Sequence, residues 1–205
     1  MAELSVTIFV TLDGVMQAPG ARNEDESGGF THGGWQAPLF DDDSAAFERD
    51  HIAKADAFLL GRRTYEIFAD YWPKQQDPSD PIANSLNRLP KHVASRTLNE
   101  LTWNGSELVR DVAAEVPLLK NRYSKQILVY GSGKLVRTLL DSDLVDELNL
   151  WIYPVVLGSG EQLFTKGVTP TAMKLAAHRV MKSGAIIATY RPVGAPTYGT
   201  VGPPK

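Results

Sequence analysis

The sequence contains no cysteine, which excludes a disulfide-stapled fold, a thiolate metal site and a cysteine nucleophile. It also lacks a long apolar run near its start: the first strand-like stretch turns acidic at Asp13 and has no basic leader, so we expect neither a signal peptide nor a membrane span. The sequence has no large excess of charge of either sign, since 21 Lys and Arg residues are balanced by 24 acidic residues. We therefore expect a cytoplasmic protein with no membrane or nucleic-acid partner.

Metal-ligand spacing is absent as well. The four histidines lie far apart in the sequence, and the run of Asp41, Asp42 and Asp43 is better explained as the start of a helix than as a magnesium site. We predict no metal. Any redox chemistry must then come from a bound organic cofactor.

What is present is an alternation of apolar strands and helices in a chain of 205 residues. The predicted strands cover residues 4–12, 57–60, 92–95, 126–130 and 148–156, and the predicted helices cover residues 45–55, 62–71, 112–122 and 134–140. A hairpin is predicted over residues 175–190, and the glycine-containing stretch 15–35 predicts a long mobile loop. This order predicts a three-layer α/β/α fold, with a mostly parallel central sheet and an antiparallel C-terminal hairpin.

We expect one domain over residues 1–191. The last fourteen residues, 192–205, contain four prolines and three glycines, so we predict a disordered tail there.

Three strand-to-helix turns carry residues suited to binding anions. They are Gly61-Arg62-Arg63-Thr64, Ser95-Arg96-Thr97 and Gly131-Ser132-Gly133-Lys134-Leu135. A helix N-terminus offers unpaired N–H groups to an anion, and the carboxyl ends of parallel strands share one edge of the sheet. One such turn alone is more often a simple connection, but three together predict an extended phosphorylated ligand such as a dinucleotide. The arginines favour the 2′-phosphate of NADP(H), and no GxGxxG fingerprint is present.

Five segments taken together resemble a known family. They are Thr11-Leu12-Asp13-Gly14, FLLGRRTYE at 58–66, Ser95-Arg96, VYGSGKL at 129–135 and LVDELNLWIYPVVLGSGEQLF at 144–164. The chain resembles the dihydrofolate reductase-like superfamily, in the bacterial branch related to the C-terminal reductase domain of the riboflavin-biosynthesis deaminase/reductase. The resemblance implies an NADPH-dependent reductase that transfers a hydride to a small heterocycle of pterin or ribosylaminopyrimidine type, as a 5-amino-6-(5-phosphoribosylamino)uracil reductase does. It also implies a homodimer.

The resemblance assigns roles to particular positions. It places Gly61, Arg62, Arg63 and Thr64 at the NADPH phosphates, Ser95 and Arg96 at the 2′-phosphate, and Gly131, Ser132, Gly133, Lys134 and Leu135 at the pyrophosphate. It places Asp13 and Gly14 near the nicotinamide and the substrate. Dihydrofolate reductases hold the pteridine ring with a carboxylate on the first helix, and counting back from Gly61 puts that position near Ala45. A folate site is therefore not predicted.

Three further residues are candidates with open alternatives. Asp13 is the candidate catalytic residue, although an aspartate before glycine is equally typical of an ordinary turn. Trp35 could cover a planar ring or simply anchor a loop, and Glu161 could face the substrate or lie solvated in its turn. The absence of a clear first-helix carboxylate also leaves open a non-catalytic module that binds a nucleotide or a flavin.

Overall fold

Six parallel strands and a C-terminal antiparallel hairpin form a single sheet in the computed structural model of the protein, which describes residues 1–202. The strand order across the sheet is β4-β3-β2-β5-β1-β6-β8-β7. The strands are β1 (Glu3–Thr11), β2 (Ala55–Gly61), β3 (Lys91–Ala94), β4 (Ser106–Val109), β5 (Gln126–Tyr130), β6 (Glu147–Tyr153), β7 (Met173–Val180) and β8 (Ile186–Pro192). Strands β1 to β6 run parallel, β8 pairs antiparallel with β6, and β7 pairs antiparallel with β8 at the edge of the sheet.

Five α-helices connect the strands. They are α1 (Asp42–Ile52), α2 (Arg62–Tyr71), α3 (Pro81–Arg88), α4 (Val112–Arg122) and α5 (Gly133–Asp141). Helix α1 begins three residues before the predicted start because the Asp41 carboxylate accepts a hydrogen bond from the Ser44 backbone N–H at 2.9 Å. Helix α4 has its predicted bounds and contains Pro117 in its interior.

The helices lie on both faces of the sheet, as predicted. Alternate residues of β2 and β5 point to opposite sides. Leu59 and Val129 join one apolar cluster with α4 and α5, whereas Phe58 and Leu128 join a second cluster with α1, α2 and α3. The predicted three-layer α/β/α fold with an antiparallel C-terminal hairpin is confirmed.

The stretch 15–35 forms the predicted long loop, but several of its side chains are packed in the core. Its apolar side chains Val15, Phe30 and Trp35 are buried against Trp151 and Tyr153 in a third apolar cluster. The sequence did not predict that these three side chains are buried, because each lies alone among polar residues and glycines that are typical of loops. The segment is therefore a packed loop along the sheet, with a short 3₁₀ turn at Ser27–Gly29.

The C-terminal boundary lies slightly later than predicted. Strand β8 includes Pro192, and backbone pairing continues from the Val193 N–H to the Ala172 carbonyl at 2.8 Å and from the Ala172 N–H to the Gly194 carbonyl at 2.7 Å. The predicted tail otherwise contains no helix or strand up to residue 202, and its last residues, 203–205, lie outside the described part of the chain. Within residues 1–202, no helix is long and apolar enough to cross a membrane.

The third cluster yields a stability prediction. Trp151 is fully buried and packs edge-on against Phe9 and Phe47, with ring centroids 5.4 and 5.5 Å away. We expect Trp151→Ala to lower the free energy of unfolding by roughly 3–5 kcal/mol, because the cavity cannot fully close. Urea denaturation measures this loss. The control is Leu118→Ala, whose side chain is exposed on α4, and a comparable loss in that variant would contradict the assignment.

Candidate active site

A cleft of about 1980 Å³ runs along the carboxyl ends of the parallel strands. Its lining includes the residues that directly follow β2, β3, β4 and β5, together with part of the loop 15–35 and one side of α1. The three anion-binding turns predicted from the sequence therefore share one cleft, as the sheet topology requires.

The N-termini of α2 and α5 meet at the side chain of Ser132. Its hydroxyl accepts a hydrogen bond from the Gly61 backbone N–H at 2.9 Å and lies 2.9 Å from the Thr64 hydroxyl. Gly131 and Ser132 both have left-handed backbone conformations, with φ values of 53° and 60°, and this turns the chain sharply into α5. Neither helix has a side-chain N-cap, so their first N–H groups face the cleft without side-chain partners.

The predicted cations fall into two groups. Arg62 and Arg63 already have carboxylate partners, since Arg62 Nε lies 2.8 Å from Glu66 and an Arg63 nitrogen lies 2.8 Å from Asp25. Arg96 and Lys134 line the cleft and form no ion pair with any described residue. These two side chains are therefore the ones more readily available to an anionic ligand.

Sequence reasoning missed two cations of the cleft, Arg22 and Arg110. Arg110 directly follows β4, and its guanidinium donates a hydrogen bond at 2.8 Å to the carbonyl of Ser95, the residue before Arg96. The Ser95 hydroxyl itself accepts from the Leu98 backbone N–H at 3.0 Å and shapes the turn. Strand β4 has only four residues and a weak alternation of apolar and polar side chains, so the sequence predicted no strand before Arg110.

Asp13 and Gly14 do not line the cleft. The Asp13 carboxylate accepts a hydrogen bond from the Thr11 hydroxyl at 2.5 Å and another from the Gly158 backbone N–H at 2.7 Å. These bonds, the Thr11 bond first, lower the pKa of Asp13 below its usual value, so the group stays ionised. This geometry favours the turn interpretation of Asp13 over a proton donor.

The other two candidate residues, Trp35 and Glu161, lie in different parts of the structure. Trp35 lies in the third apolar cluster outside the cleft, where its indole N–H donates to the Gln17 carbonyl at 2.8 Å and its ring packs edge-on against Tyr153. Glu161 does line the cleft, and its backbone N–H donates to the Gln17 side chain at 3.0 Å. The structure therefore places Glu161 at the site and Trp35 in the core.

The first helix does carry a carboxylate in the cleft, although counting back from Gly61 in the sequence had placed Ala45 near that position. It is Glu48, which lines the cleft on the buried side of α1 that also carries Ser44 and Ile52. Burial raises the pKa of Glu48 to about 7, an effect partly offset by the nearby Tyr130. Counting residues failed because the face of a helix depends on where the helix begins. One carboxylate oxygen of Glu48 is buried without a hydrogen-bond partner among residues 1–202, and such an unpaired group costs about 1–3 kcal/mol.

A mostly parallel sheet with helices on both faces and a cleft at the strand ends defines a three-layer α/β protein, and the likeness to the solved structures described below identifies the fold as dihydrofolate reductase-like. The RibD C-terminal domain family model matches residues 2–187, and the chain belongs to this family. The uncharacterized protein YyaP of Bacillus subtilis (strain 168) is 32% identical over 143 residues, which make up 69% of this chain and 76% of YyaP.

Two solved structures support the fold. A putative riboflavin biosynthesis protein from Shewanella sp. PV-4 has a TM-score of 0.64 at 19% identity, covering 94% of this chain and 99% of that one. Dihydrofolate reductase from Enterococcus faecalis, solved as a complex with NADP(H), has a TM-score of 0.58 at 12% identity, covering 93% of this chain and 96% of that one.

The raised pKa of Glu48 predicts a pH-dependent stability difference. Glu48 keeps its proton up to about pH 7 when folded but only to about 4.5 when unfolded, so ionisation destabilises the protein as the pH rises between these values. We expect Glu48→Gln to be more stable than wild type by on the order of 3 kcal/mol at pH 8 and by little at pH 4.

Urea denaturation at both pH values measures the difference. Buried His51, whose pKa is lowered to about 4 by burial, destabilises the fold as the pH falls below about 6.5, but it is present in both proteins and its contribution cancels in the comparison. A stability difference that stays constant from pH 4 to pH 8 would contradict the raised pKa.

Proposed function

We propose that the protein is an NADPH-dependent reductase that transfers a hydride to a small heterocyclic substrate of pterin or ribosylaminopyrimidine type. The observation that carries this proposal is the junction of the α2 and α5 N-termini at Ser132, which opens two sets of uncapped N–H groups into one cleft. Paired helix N-termini suit a pyrophosphate, because backbone N–H groups and helix dipoles both attract negative charge.

The cations extend this site along the cleft. Arg96 and Arg110 lie together at the ends of β3 and β4, beyond the helix junction in the strand order. Two arginines at neighbouring strand ends of one cleft suit a phosphate monoester, which supports the 2′-phosphate of NADPH over the free hydroxyl of NADH. Lys134 adds a positive charge at the first turn of α5.

Bound NADPH would supply the hydride, and the protein would supply position and charge. The Ser132 junction would hold the phosphates, and the lining of the cleft would exclude water from the reacting ring. Glu48 would accept a hydrogen bond from a ring N–H, and with a pKa of about 7 it can hold or release a proton near neutral pH. A flavin-binding or non-catalytic module would not need this buried acid.

The proposal is tested first by thermal unfolding with NADPH, NADH, FMN or no ligand. A ligand at 100 times its Kd stabilises the folded state by about 2.7 kcal/mol, which corresponds to roughly 5–10 °C for a domain of this size. We expect a clear shift with NADPH and a smaller one with NADH. A shift with FMN alone would instead support the flavin-binding alternative.

A substitution at Arg96 tests whether this side chain contacts the 2′-phosphate of the cofactor. We expect Arg96→Ala to weaken NADPH binding roughly tenfold and to leave NADH binding unchanged, because only NADPH carries the phosphate that Arg96 would contact. Isothermal titration calorimetry with both nucleotides measures the two affinities. The matched control is Arg88→Ala, an exposed arginine at the end of α3 that does not line the cleft. Equal losses for NADPH and NADH would contradict the assignment of Arg96.

A further inference from the structure

A carboxylate from the loop 15–35 pairs with one of the arginines of the cleft. The Asp25 carboxylate lies 2.8 Å from a guanidinium nitrogen of Arg63, and both residues line the cleft. Arg63 is the second residue of α2, the helix whose first N–H groups have no side-chain cap. A negative charge of the protein itself therefore already engages a cation in the anion-binding part of the cleft.

The ion pair is part of a closed set of hydrogen bonds with Ser27. The same Arg63 nitrogen donates to the Ser27 hydroxyl at 3.0 Å, and the Ser27 backbone N–H donates to the other carboxylate oxygen of Asp25 at 3.0 Å. Burial opposes the charge on Asp25, but hydrogen bonds from Ser27 and the charge of Arg63 outweigh it and lower the pKa of Asp25 below its usual value. The carboxylate is therefore ionised, and the charges of Asp25 and Arg63 neutralise each other.

The two partners differ in their freedom to move. Buried Gln17 holds the backbone on both sides of the carboxylate, because its side-chain amide donates to the carbonyls of Asp25 at 3.2 Å and Ser27 at 3.0 Å. The Gln17 side-chain oxygen accepts from the Glu161 backbone N–H at 3.0 Å, which ties this segment to a second loop. The Asp25 side chain is 11% exposed and that of Arg63 is 55% exposed. The long arginine can therefore turn toward a ligand, whereas the carboxylate cannot follow it.

We propose that Asp25 is a built-in competitor of the cofactor: it pairs with Arg63, and a cofactor phosphate must take Arg63 from it. This inference rests on the proposed reductase function and names a residue that sets the affinity for the cofactor. Because the carboxylate is held in place, it remains as a negative charge near the bound phosphate and weakens binding. Asp25 thereby favours release of the oxidised cofactor after hydride transfer.

The opposite role would be that Asp25 orients Arg63 toward the ligand. A guanidinium has five N–H donors, so a nitrogen that Asp25 does not use could bind a phosphate while the ion pair stays intact. The two roles predict effects of opposite sign, since competition weakens cofactor binding and orientation strengthens it. Neutralisation of the Arg63 charge by a fixed carboxylate favours competition.

The test measures the Kd of NADPH by isothermal titration calorimetry at one fixed ionic strength for wild type, Asp25→Asn and Glu26→Gln. Asparagine keeps the shape of Asp25 and an oxygen that can accept from the Ser27 N–H. We expect Asp25→Asn to bind NADPH about fivefold more tightly than wild type, because Arg63 is then free to pair with a phosphate. Asp25→Ser, which also removes the charge, should bind NADPH more tightly as well.

Glu26→Gln is the matched control. Glu26 is the adjacent acid in the same loop, but it is exposed and does not line the cleft. Its substitution removes the same charge from the same segment, so it measures the general effect of charge. We expect the Kd of NADPH to change by less than about twofold in this variant, because salt screens exposed charges that are not in contact.

A second comparison tests whether the effect passes through Arg63. In the Arg63→Gln background, we expect Asp25→Asn to change the Kd of NADPH by less than about twofold, because no cation is then released. Thermal unfolding checks that each variant is folded. An unchanged or weaker affinity in Asp25→Asn, or a gain of about fivefold that persists without Arg63, would overturn the inference.

Inorganic pyrophosphate, titrated into the same variants, separates this result from the proposed function. Tighter pyrophosphate binding in Asp25→Asn, without NADPH binding by any variant, supports the competition and overturns the reductase proposal. NADPH binding of equal strength in wild type and Asp25→Asn overturns only the role of Asp25. Binding of neither ligand by any variant overturns both.

Discussion

The contact of the Ser132 hydroxyl with the first turn of α2 is the interaction on which the cleft depends. Strands β2 and β5 are neighbours and run parallel, so the helices that follow them begin side by side at the same edge. Ser132 joins these beginnings through the Gly61 N–H and the Thr64 hydroxyl. A single side chain thereby keeps two helix N-termini at a separation that one extended anion can span.

The cationic part of the cleft and its buried acid lie on different elements of the fold. The uncapped N–H groups and the cations Arg96, Arg110 and Lys134 lie at turns that follow strands or open helices, where backbone donors are available. The buried acid Glu48 lies on α1, on the face of the sheet that α2 and α3 also cover. Burial keeps Glu48 neutral up to about pH 7, so its cost to folding is reduced by protonation. The two halves of the cleft thus suit an anion and a flat ring.

Local sequence signals predicted several elements with their observed bounds. Helix α2 and strand β5 match residues 62–71 and 126–130, because glycine and proline or a change of hydrophobic period lie at their ends. Helix α3 and strand β4 were missed, since each is short and its buried residues are few. Of the site residues, the three turns come together in one cleft as predicted, whereas Asp13, Gly14 and Trp35 lie outside it.

The sequence by itself determined most of the strands and helices in their order, the three-layer α/β/α architecture and the three turns suited to phosphates, because hydrophobic period, capping residues and glycine act within a few residues along the chain. Only the tertiary structure decided which polar groups share the cleft. Glu48 and Tyr130 are 82 positions apart and become neighbours through the packing of α1 on β5. Burial is a property of that packing, and burial is what raises the pKa of Glu48 to about 7.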